Sequence, residues 1–506
     1  MTQLATLASH RKDFGDFQSP EGLVVEVLDM LARTGPRPDR VFEPTCGRGH
    51  FIAGLLRRPD PPREIFGCEI QESHVEAARS LASASGSTTV EVRQADLFRL
   101  DLGRDLRWRG GGPLLVVGNL PWVTTSALGA SGGSNGPERS NARRSRGIDA
   151  LTGASNFDIS EALWLKLIGE LAPERPTIAL LCKAGVARAI LRAVHRDGLP
   201  VTHASLWGID AHRWFRASVG ACLLRVEVGP GPRATQAEVF DSLADIQPSS
   251  TLGLGDGRLI ADVAAYREVA FADGPCPLAW RQGVKHDASP VMELTATGDG
   301  LVNNRGEVVC VEAEHVYPLL KGSDLGGAPR DRPPRSVLVT QRRLGEDTRD
   351  LAARAPRLWA YLVAHSAWFE RRKSSIYRGR PPFCLFGVGD YSFAPYKVAV
   401  SGLHKGPKFR LVGPVNGRPT MLDDTCYFLP CRTIGQARLL VDLLNAPAAQ
   451  TLLRALTFAD AKRPVTKALL QRLDLRALLA HAGLEGLWLS EWEADWSPTR
   501  RAVAAP

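Results

Sequence analysis

The segment Val116-Val117-Gly118-Asn119-Leu120-Pro121-Trp122 brings an amide, a proline and an aromatic ring to the end of an apolar run. An exocyclic amino nitrogen on a nucleobase is a poor nucleophile because its lone pair is delocalised into the ring. The Asn119 side-chain oxygen and a main-chain carbonyl of this turn could both accept hydrogen bonds from such an NH2 group. Those bonds favour the pyramidal nitrogen needed for attack, so they strengthen towards the transition state. Trp122 offers a face for base stacking, a contact worth about 1–3 kcal/mol. Pro121 stiffens the turn and removes a competing N–H. The candidate catalytic residues are therefore Asn119, Pro121 and Trp122.

Three acidic or glycine-rich features precede that turn. Phe42-Glu43-Pro44-Thr45-Cys46-Gly47-Arg48-Gly49-His50-Phe51 sets two glycines two residues apart. Between a strand and a helix they allow a tight turn and close backbone approach to a ligand. Glu69 follows about twenty residues later, where dinucleotide folds place the carboxylate that accepts from ribose hydroxyls. Asp96, in Gln94-Ala95-Asp96-Leu97-Phe98, could accept from an adenine amino group while Leu97 or Phe98 lines the ring. Together they point to a cofactor containing a nucleoside.

These residues need strands that end beside one another. Strands are expected at 40–43, 64–70, 90–94 and 113–119, and helices at 49–57 and 73–84. Further on come a helix at 159–171, a strand at 177–182, a helix at 184–196 and strands at 201–207 and 219–228. Alternation of this kind implies a mostly parallel α/β sheet with helices on both faces. The last two strands lack room for a helical crossover and are expected to pair antiparallel.

In order and wording the motifs resemble the S-adenosylmethionine-dependent amino-methyltransferases, in particular the adenine-N6 DNA methyltransferases of bacterial restriction–modification systems. The segment EPTCGRGHF is similar to that family's cofactor glycine loop, GCEI and ADLF to its ribose- and adenine-contacting segments, and GNLPW to its catalytic Asn-Pro-Pro-aromatic motif. Upstream, Gly15-Asp16-Phe17-Gln18-Ser19-Pro20 resembles the segment beside the methionine part of the cofactor, an order that matches the gamma class. The resemblance implies a Rossmann-like class I methyltransferase sheet and S-adenosyl-L-methionine as cofactor. The implied contacts are Phe17, Ser19, Pro20, Glu43, Pro44, Cys46, Gly47, Gly49, Glu69, Ile70, Asp96 and Leu97. It also implies direct in-line transfer to a base flipped out of double-stranded DNA. Leu120 departs from the family's usual proline. Cytosine-N4 enzymes share this chemistry, usually with Ser in place of Asn, so Asn119 favours adenine. Methylation of RNA or of a protein glutamine, and a decayed DNA-binding protein, are the alternatives.

The expected organisation is a methyltransferase domain over residues 1–230, including a cofactor-packing segment 1–37 and a Gly/Ser/Arg-rich loop 124–158. A mixed α+β target-recognition region then covers 231–484 and a tail 485–506, with GPGPR at 229–233 as a linker. Among the 40 residues from Gln341 to Arg380, ten are basic and four acidic. Arg371, Arg372, Lys373 and Arg378 there, Lys321 and Lys397, and Arg143 and Arg144 in the loop, are candidate DNA contacts. Trp280-to-Asp287, Tyr317-to-Asp324 and Ala394-to-Ala399 loosely resemble target-recognition segments of these methylases. His286-Asp287 is expected to hold a turn rather than to form a catalytic pair.

The 506 residues carry 63 Lys+Arg against 54 Asp+Glu, a formal charge of +9, and are 44% hydrophobic. That length allows several domains with real cores, and the hydrophobic content excludes a disordered chain. Only 11 of the 63 basic residues are lysines, and the arginine fork suits phosphates and base edges. The apolar runs are too short to cross a bilayer, and the first twenty residues lack the apolar core of a secretory signal. Nine scattered cysteines form no CxxC pair. They are expected to be reduced and structural, in the cytoplasm, with no metal site. Any cognate restriction endonuclease is expected to be a separate protein.

Overall fold

The computed structural model describes residues 18–82, 86–122, 158–255, 257–298, 300–326, 335–458, 460–461 and 463–488. The chain divides into two compact units, Met1–Ala264 and Ala265–Pro506.

The first unit is built on one ten-stranded sheet. Its strands are β1 (Arg40–Glu43), β2 (Glu64–Glu69), β3 (Thr89–Gln94), β4 (Leu114–Asn119), β5 (Thr177–Lys183), β6 (Val201–Ile209), β7 (Ala221–Val228), β8 (Gln236–Phe240), β9 (Ser250–Gly255) and β10 (Arg258–Ile260). They lie in the order β10-β9-β8-β6-β7-β5-β4-β1-β2-β3. Strands β3, β2, β1, β4 and β5 are parallel. β7 slots between β5 and β6 and runs antiparallel to both. β4 is buried from Leu114 to Gly118, as a central parallel strand covered on both faces must be.

The helices that position the site are α1 (Glu21–Thr34), α2 (His50–Leu56), α3 (Glu72–Ala82), α4 (Ile159–Glu170), α5 (Ala184–Asp197) and the short α6 (Ala211–Phe215). Leu23, Val24, Val27, Leu28, Met30 and Leu31 form the buried stripe of α1, at the helical spacing of an amphipathic element. They join Phe51, Ile52 and Leu55 of α2 in one core. A Cβ on Gly54 of α2 would meet Val24 Cγ1 at 2.7 Å, so the small residue sets how closely the two helices approach.

The sheet does not end at β7. Strand β8 adds to β6 in parallel, and β9 and β10 follow as antiparallel edge strands. Phe240 of β8 stacks flat on Trp207 of β6, with centroids 4.7 Å apart. The expected linker at 229–233 is therefore a turn within the first unit, which runs on to Ala264. The sequence hides this because the three strands are short and interrupted by polar or glycine residues.

The second unit carries two small sheets. One contains β16 (Tyr396–Ser401) and β19 (Cys426–Cys431) at its centre, flanked by β11 (Arg281–Gln282) and β17 (Arg410–Val412). The other orders β13 (Gly300–Asn303), β12 (Glu293–Thr297), β15 (Arg335–Leu338), β14 (Val316–Leu320) and β18 (Met421–Leu422). Among the described residues no helix is long and apolar enough to cross a membrane. The nine cysteines are all free thiols, and Cys310 alone is exposed.

Candidate active site

The loops after β1, β2, β3 and β4 meet at the carboxyl ends of the parallel strands. Gly47 (φ 51°) and Gly49 (φ 84°) both take the left-handed region between β1 and α2, where a side chain would cost about 1–2 kcal/mol. A Cβ on Gly49 would also lie 3.1 Å from Ala78 Cα of α3. Cys46 N–H donates to Cys68 O at 2.8 Å, and Ala95 N–H to Glu69 O at 2.9 Å, so three successive loops are laced together.

Glu69 is the hub of that lacing. Its Oε2 accepts from Gly47 N–H at 3.0 Å, and its Oε1 from Ile70 and Gln71 N–H at 2.8 and 2.9 Å. Hydrogen bonds to a charged group contribute about 1.5–3 kcal/mol each, enough to fix the carboxylate. An ionised carboxylate offers roughly four acceptor positions. Three are held by backbone, which leaves about one in place for a ligand hydroxyl. Ile70 stands beside it with an exposed side chain. Asp96 Oδ1 accepts from Phe98 N–H at 3.0 Å and its Oδ2 lies 3.7 Å from Arg99, while Leu97 is buried below.

The segment before α1 closes over the glycine loop. Gln18 Oε1 accepts from Arg48 N–H at 3.1 Å, and the Ser19 carbonyl lies 2.7 Å from His50 Nδ1. Ser19 is buried and Pro20 caps α1. A Cβ on Gly47 would stand 2.5 Å from Gln18 Oε1, so only glycine lets the Gln18 side chain pack against the loop.

Glu43 ends β1 fully buried, with Pro44 buried beside it. Burial pushes the Glu43 carboxyl well above the usual carboxylate range, a hydrogen bond from the Ile52 backbone opposes this, and the nearby Glu69 charge adds to it. Its Oε2 has no hydrogen-bond partner. That orphaned acid, the exposed backbone of a left-handed glycine loop and the fixed Glu69 fit a ligand that joins a cationic group to a nucleoside.

The β4 turn abuts the glycine loop. Thr45 of the glycine loop donates its hydroxyl to the Asn119 carbonyl at 3.0 Å, tying the two together directly. Asn119 is half-buried and Leu120 buried. Trp122 is 6% exposed. Its ring meets Phe215 edge-on at 5.0 Å and packs with Ala211 and Ala221. The Pro121 and Trp122 carbonyls approach Ser160 Oγ and Lys183 Nζ, at 3.3 and 2.8 Å. Lys183 also meets Asp158 Oδ2 at 2.6 Å. Asp158, Ser160 and Lys183 were not among the sequence candidates. The one local signal was the polar pair Asp158 and Ser160 at the start of the helix, the composition of an N-cap.

The candidate DNA contacts separate into two groups. Arg371, Lys373 and Arg378 are exposed, as is Arg380. Arg372 is different: it donates to the Cys384 carbonyl at 2.9 Å and stacks over the Tyr377 ring at 3.7 Å, holding the loop that displays the others. Lys321 is bound to buried Glu293 at 2.7 Å, so its charge is already matched. Lys397 is 1% exposed and donates to the Ala394 carbonyl at 2.8 Å. Burial lowers its amine to about 8, and it presents no charge to a phosphate. His286 Nδ1 accepts from Ala288 N–H at 3.1 Å, the turn-holding role expected of it. Phe17, Arg143 and Arg144, and the loop 124–158 up to Asp158, lie outside the described residues. Among the described residues no group of three His, Cys, Asp or Glu side chains is placed to hold a metal.

A Rossmann-like sheet with β7 inserted antiparallel, a glycine loop after β1 and an acidic residue after β2 defines a class I methyltransferase fold. The chain is 35% identical over 467 residues to the type II methyltransferase M.NspV of Nostoc sp. (strain ATCC 29411 / PCC 7524), covering 92% of this chain and 97% of that protein. It therefore belongs to the S-adenosylmethionine-dependent DNA methyltransferases of restriction–modification systems. Among solved structures, the type IIL restriction–modification enzyme MmeI in complex with DNA matches with a TM-score of 0.53 at 12% identity. The match covers 92% of this chain and 65% of MmeI, and the likeness is one of fold. No family model matches the chain.

Proposed function

We propose that this protein methylates the exocyclic N6 of adenine at a specific sequence in double-stranded DNA, within a restriction–modification or related defence system. The observation that carries the proposal is the tie between two loops: Thr45 of the glycine loop holds the Asn119 carbonyl at 3.0 Å. A cofactor on the first loop and a base at the second would then meet at short range.

S-adenosylmethionine supplies an electrophilic methyl group on a sulfonium, whose departure leaves a neutral thioether. Gly47, Gly49, Glu69, Ile70, Asp96 and Leu97 would hold its nucleoside part, and Ser19, Pro20, Glu43, Pro44 and Cys46 its amino-acid part. Asn119 Oδ1 accepts one N–H of the flipped base. The Asn119 and Trp122 carbonyls already face protein groups, so the second N–H would go to a main-chain carbonyl between them, in this reading that of Leu120. A main-chain oxygen does this equally well from Leu or Pro, so the departure at Leu120 spares the chemistry. The turn that carries these acceptors is tied to Thr45 and Lys183 before the base arrives, which is the economical form of electrostatic catalysis. Extruding the base costs a few kcal/mol, offset by contacts of the base in its pocket and of phosphates with exposed cations; Trp122, expected to stack on the base, is instead packed against Phe215, Ala211 and Ala221 and supports the turn.

Incubation with methyl-labelled cofactor and mixed duplex DNA, followed by nucleoside analysis, tests the proposal. N6-methyladenine is the expected product. Label in N4-methylcytosine, RNA or protein glutamine would replace the substrate assignment, and cofactor binding without transfer to any acceptor would refute it.

A further inference from the structure

Two groups outside the glycine loop and the Asn-Leu-Pro-Trp segment grip the catalytic turn. Lys183 ends β5 two residues beyond Leu181, the register partner of Asn119. Its ammonium donates to the Trp122 carbonyl at 2.8 Å and to Asp158 Oδ2 at 2.6 Å. Asp158 is simultaneously the N-cap of α4, accepting from Ser160 N–H at 3.2 Å. The Ser160 hydroxyl has a single hydrogen. It goes to the Asp158 carboxylate, the nearer acceptor, and Ser160 Oγ also sits 3.3 Å from the Pro121 carbonyl. One ammonium thus joins the strand next to β4, the first turn of α4 and the far end of the catalytic turn.

The exposures suit a fixed tether. The Asp158 side chain is 11% exposed and that of Lys183 24%. A surface ion pair between long side chains is loosely held and contributes little. This pair is short and largely shielded, and a backbone carbonyl of the turn takes a further bond from the same nitrogen.

We propose that Lys183 and Asp158 are positioning residues for methyl transfer. Together they fix the height of the turn, so that the Asn119 amide oxygen and the Leu120 carbonyl face the amino group. The inference rests on the reading of this turn as the transfer site. Reactive geometry is unforgiving, and a displacement of about 1 Å costs roughly a hundredfold in rate. The cofactor-side groups Gly47, Glu69 and Asp96 make their hydrogen bonds elsewhere, so their function should survive loss of the clamp.

The test uses the full chain with Lys183→Met, Lys183→Arg and Asp158→Asn. Lys183→Met should lower kcat by about 10- to 100-fold while changing the dissociation constant for S-adenosylmethionine by less than about twofold. Lys183→Arg keeps a donor for both partners and should recover most of the rate. Asp158→Asn keeps the helix cap, loses the charge and should fall between. A role in folding alone would lower the melting temperature without this split. Lys183→Met that binds cofactor and turns over like the parent overturns the proposal. A crystal structure of Lys183→Met supplies a readout independent of activity: residues 119–122 should be displaced, and their superposition on the parent turn also overturns it. Failure of the parent itself to methylate DNA strikes the proposed function instead, and the structural comparison still decides whether the clamp exists.

Discussion

Two side chains show how differently burial can be used. In the proposed reaction Asn119 is a neutral acceptor at a strand end, so replacing it should act on the transition state more than on cofactor binding. Asn119→Ala should keep cofactor affinity and lose about 10²–10³ in kcat, the usual cost of one preorganised polar group. Asp96→Ala should instead weaken cofactor binding, and calorimetry with single-turnover assays separates the two. Lys397 is a charged group buried without a carboxylate. Burial lowers its pKa from 10.5 to about 8. Below pH 8 the amine is protonated in both folded and unfolded chains, and the folded state bears the full penalty, about 3 kcal/mol at 1.36 kcal/mol per unit. Between about 8 and 10.5 the unfolded chain binds more protons, so stability rises with pH, and above 10.5 the penalty is gone. Lys397→Met should therefore stabilise the second unit by about 1–3 kcal/mol at neutral pH, less the lost bond to Ala394. Denaturation at pH 7 and pH 11 should show that gain disappear.

At the scale of elements, the glycine loop, helix α3 and the acidic strand ends form one mechanical piece. Gly49 combines a left-handed φ of 84° with a Cβ position 3.1 Å from the Ala78 main chain. Gly47 has a similar φ of 51°, but its close neighbour is the end of the Gln18 side chain, which can move. Gly49→Ala should thus destabilise by about 2–4 kcal/mol, backbone strain plus overpacking, and Gly47→Ala by about 1–2 kcal/mol. Urea unfolding of both variants checks the order. These elements were legible in the sequence because short-range chemistry dictates them: an apolar run ending in a polar turn can hardly be anything but a buried strand reaching a crevice. Glu69 and Asp96 were placed at strand ends by the same logic. The Lys183–Asp158 clamp was not legible, since its members are 25 residues apart and meet only through sheet order. Strands β8 to β10 were missed because they are short and interrupted by polar or glycine residues such as Gln236, Ser250 and Gly253. Lys397 was counted as a DNA contact for its charge alone, although it lies on β16 beside Val398, Ala399 and Val400, which are wholly buried.

At the scale of the whole molecule, the formal charge of +9 is too small to make a general nucleic-acid binder, so affinity for DNA must depend on where cations stand free. In the loop held by Arg372 and Tyr377, Arg371, Lys373, Arg378 and Arg380 are exposed. Lys321 and Lys397 are matched or buried. Each phosphate contact released from DNA removes about 0.9 from the slope of log affinity against log salt. Replacing Arg371, Lys373 and Arg378 together by Ala should flatten that slope by about 2.7, so that a fourfold rise in salt costs the parent about 40-fold more affinity than the variant. The loss should be nearly uniform across sequences, because phosphates position a protein and base edges specify it. Lys321→Ala and Lys397→Met should leave the slope unchanged. Arg372→Ala should act differently again, weakening binding through disorder of the loop and not through one missing charge. Fluorescence anisotropy titrations of the full chain on specific and unrelated duplexes, over a range of salt, would distinguish these patterns. A slope that Lys321 or Lys397 alters as much as Arg371 does would move the DNA-facing surface away from this loop.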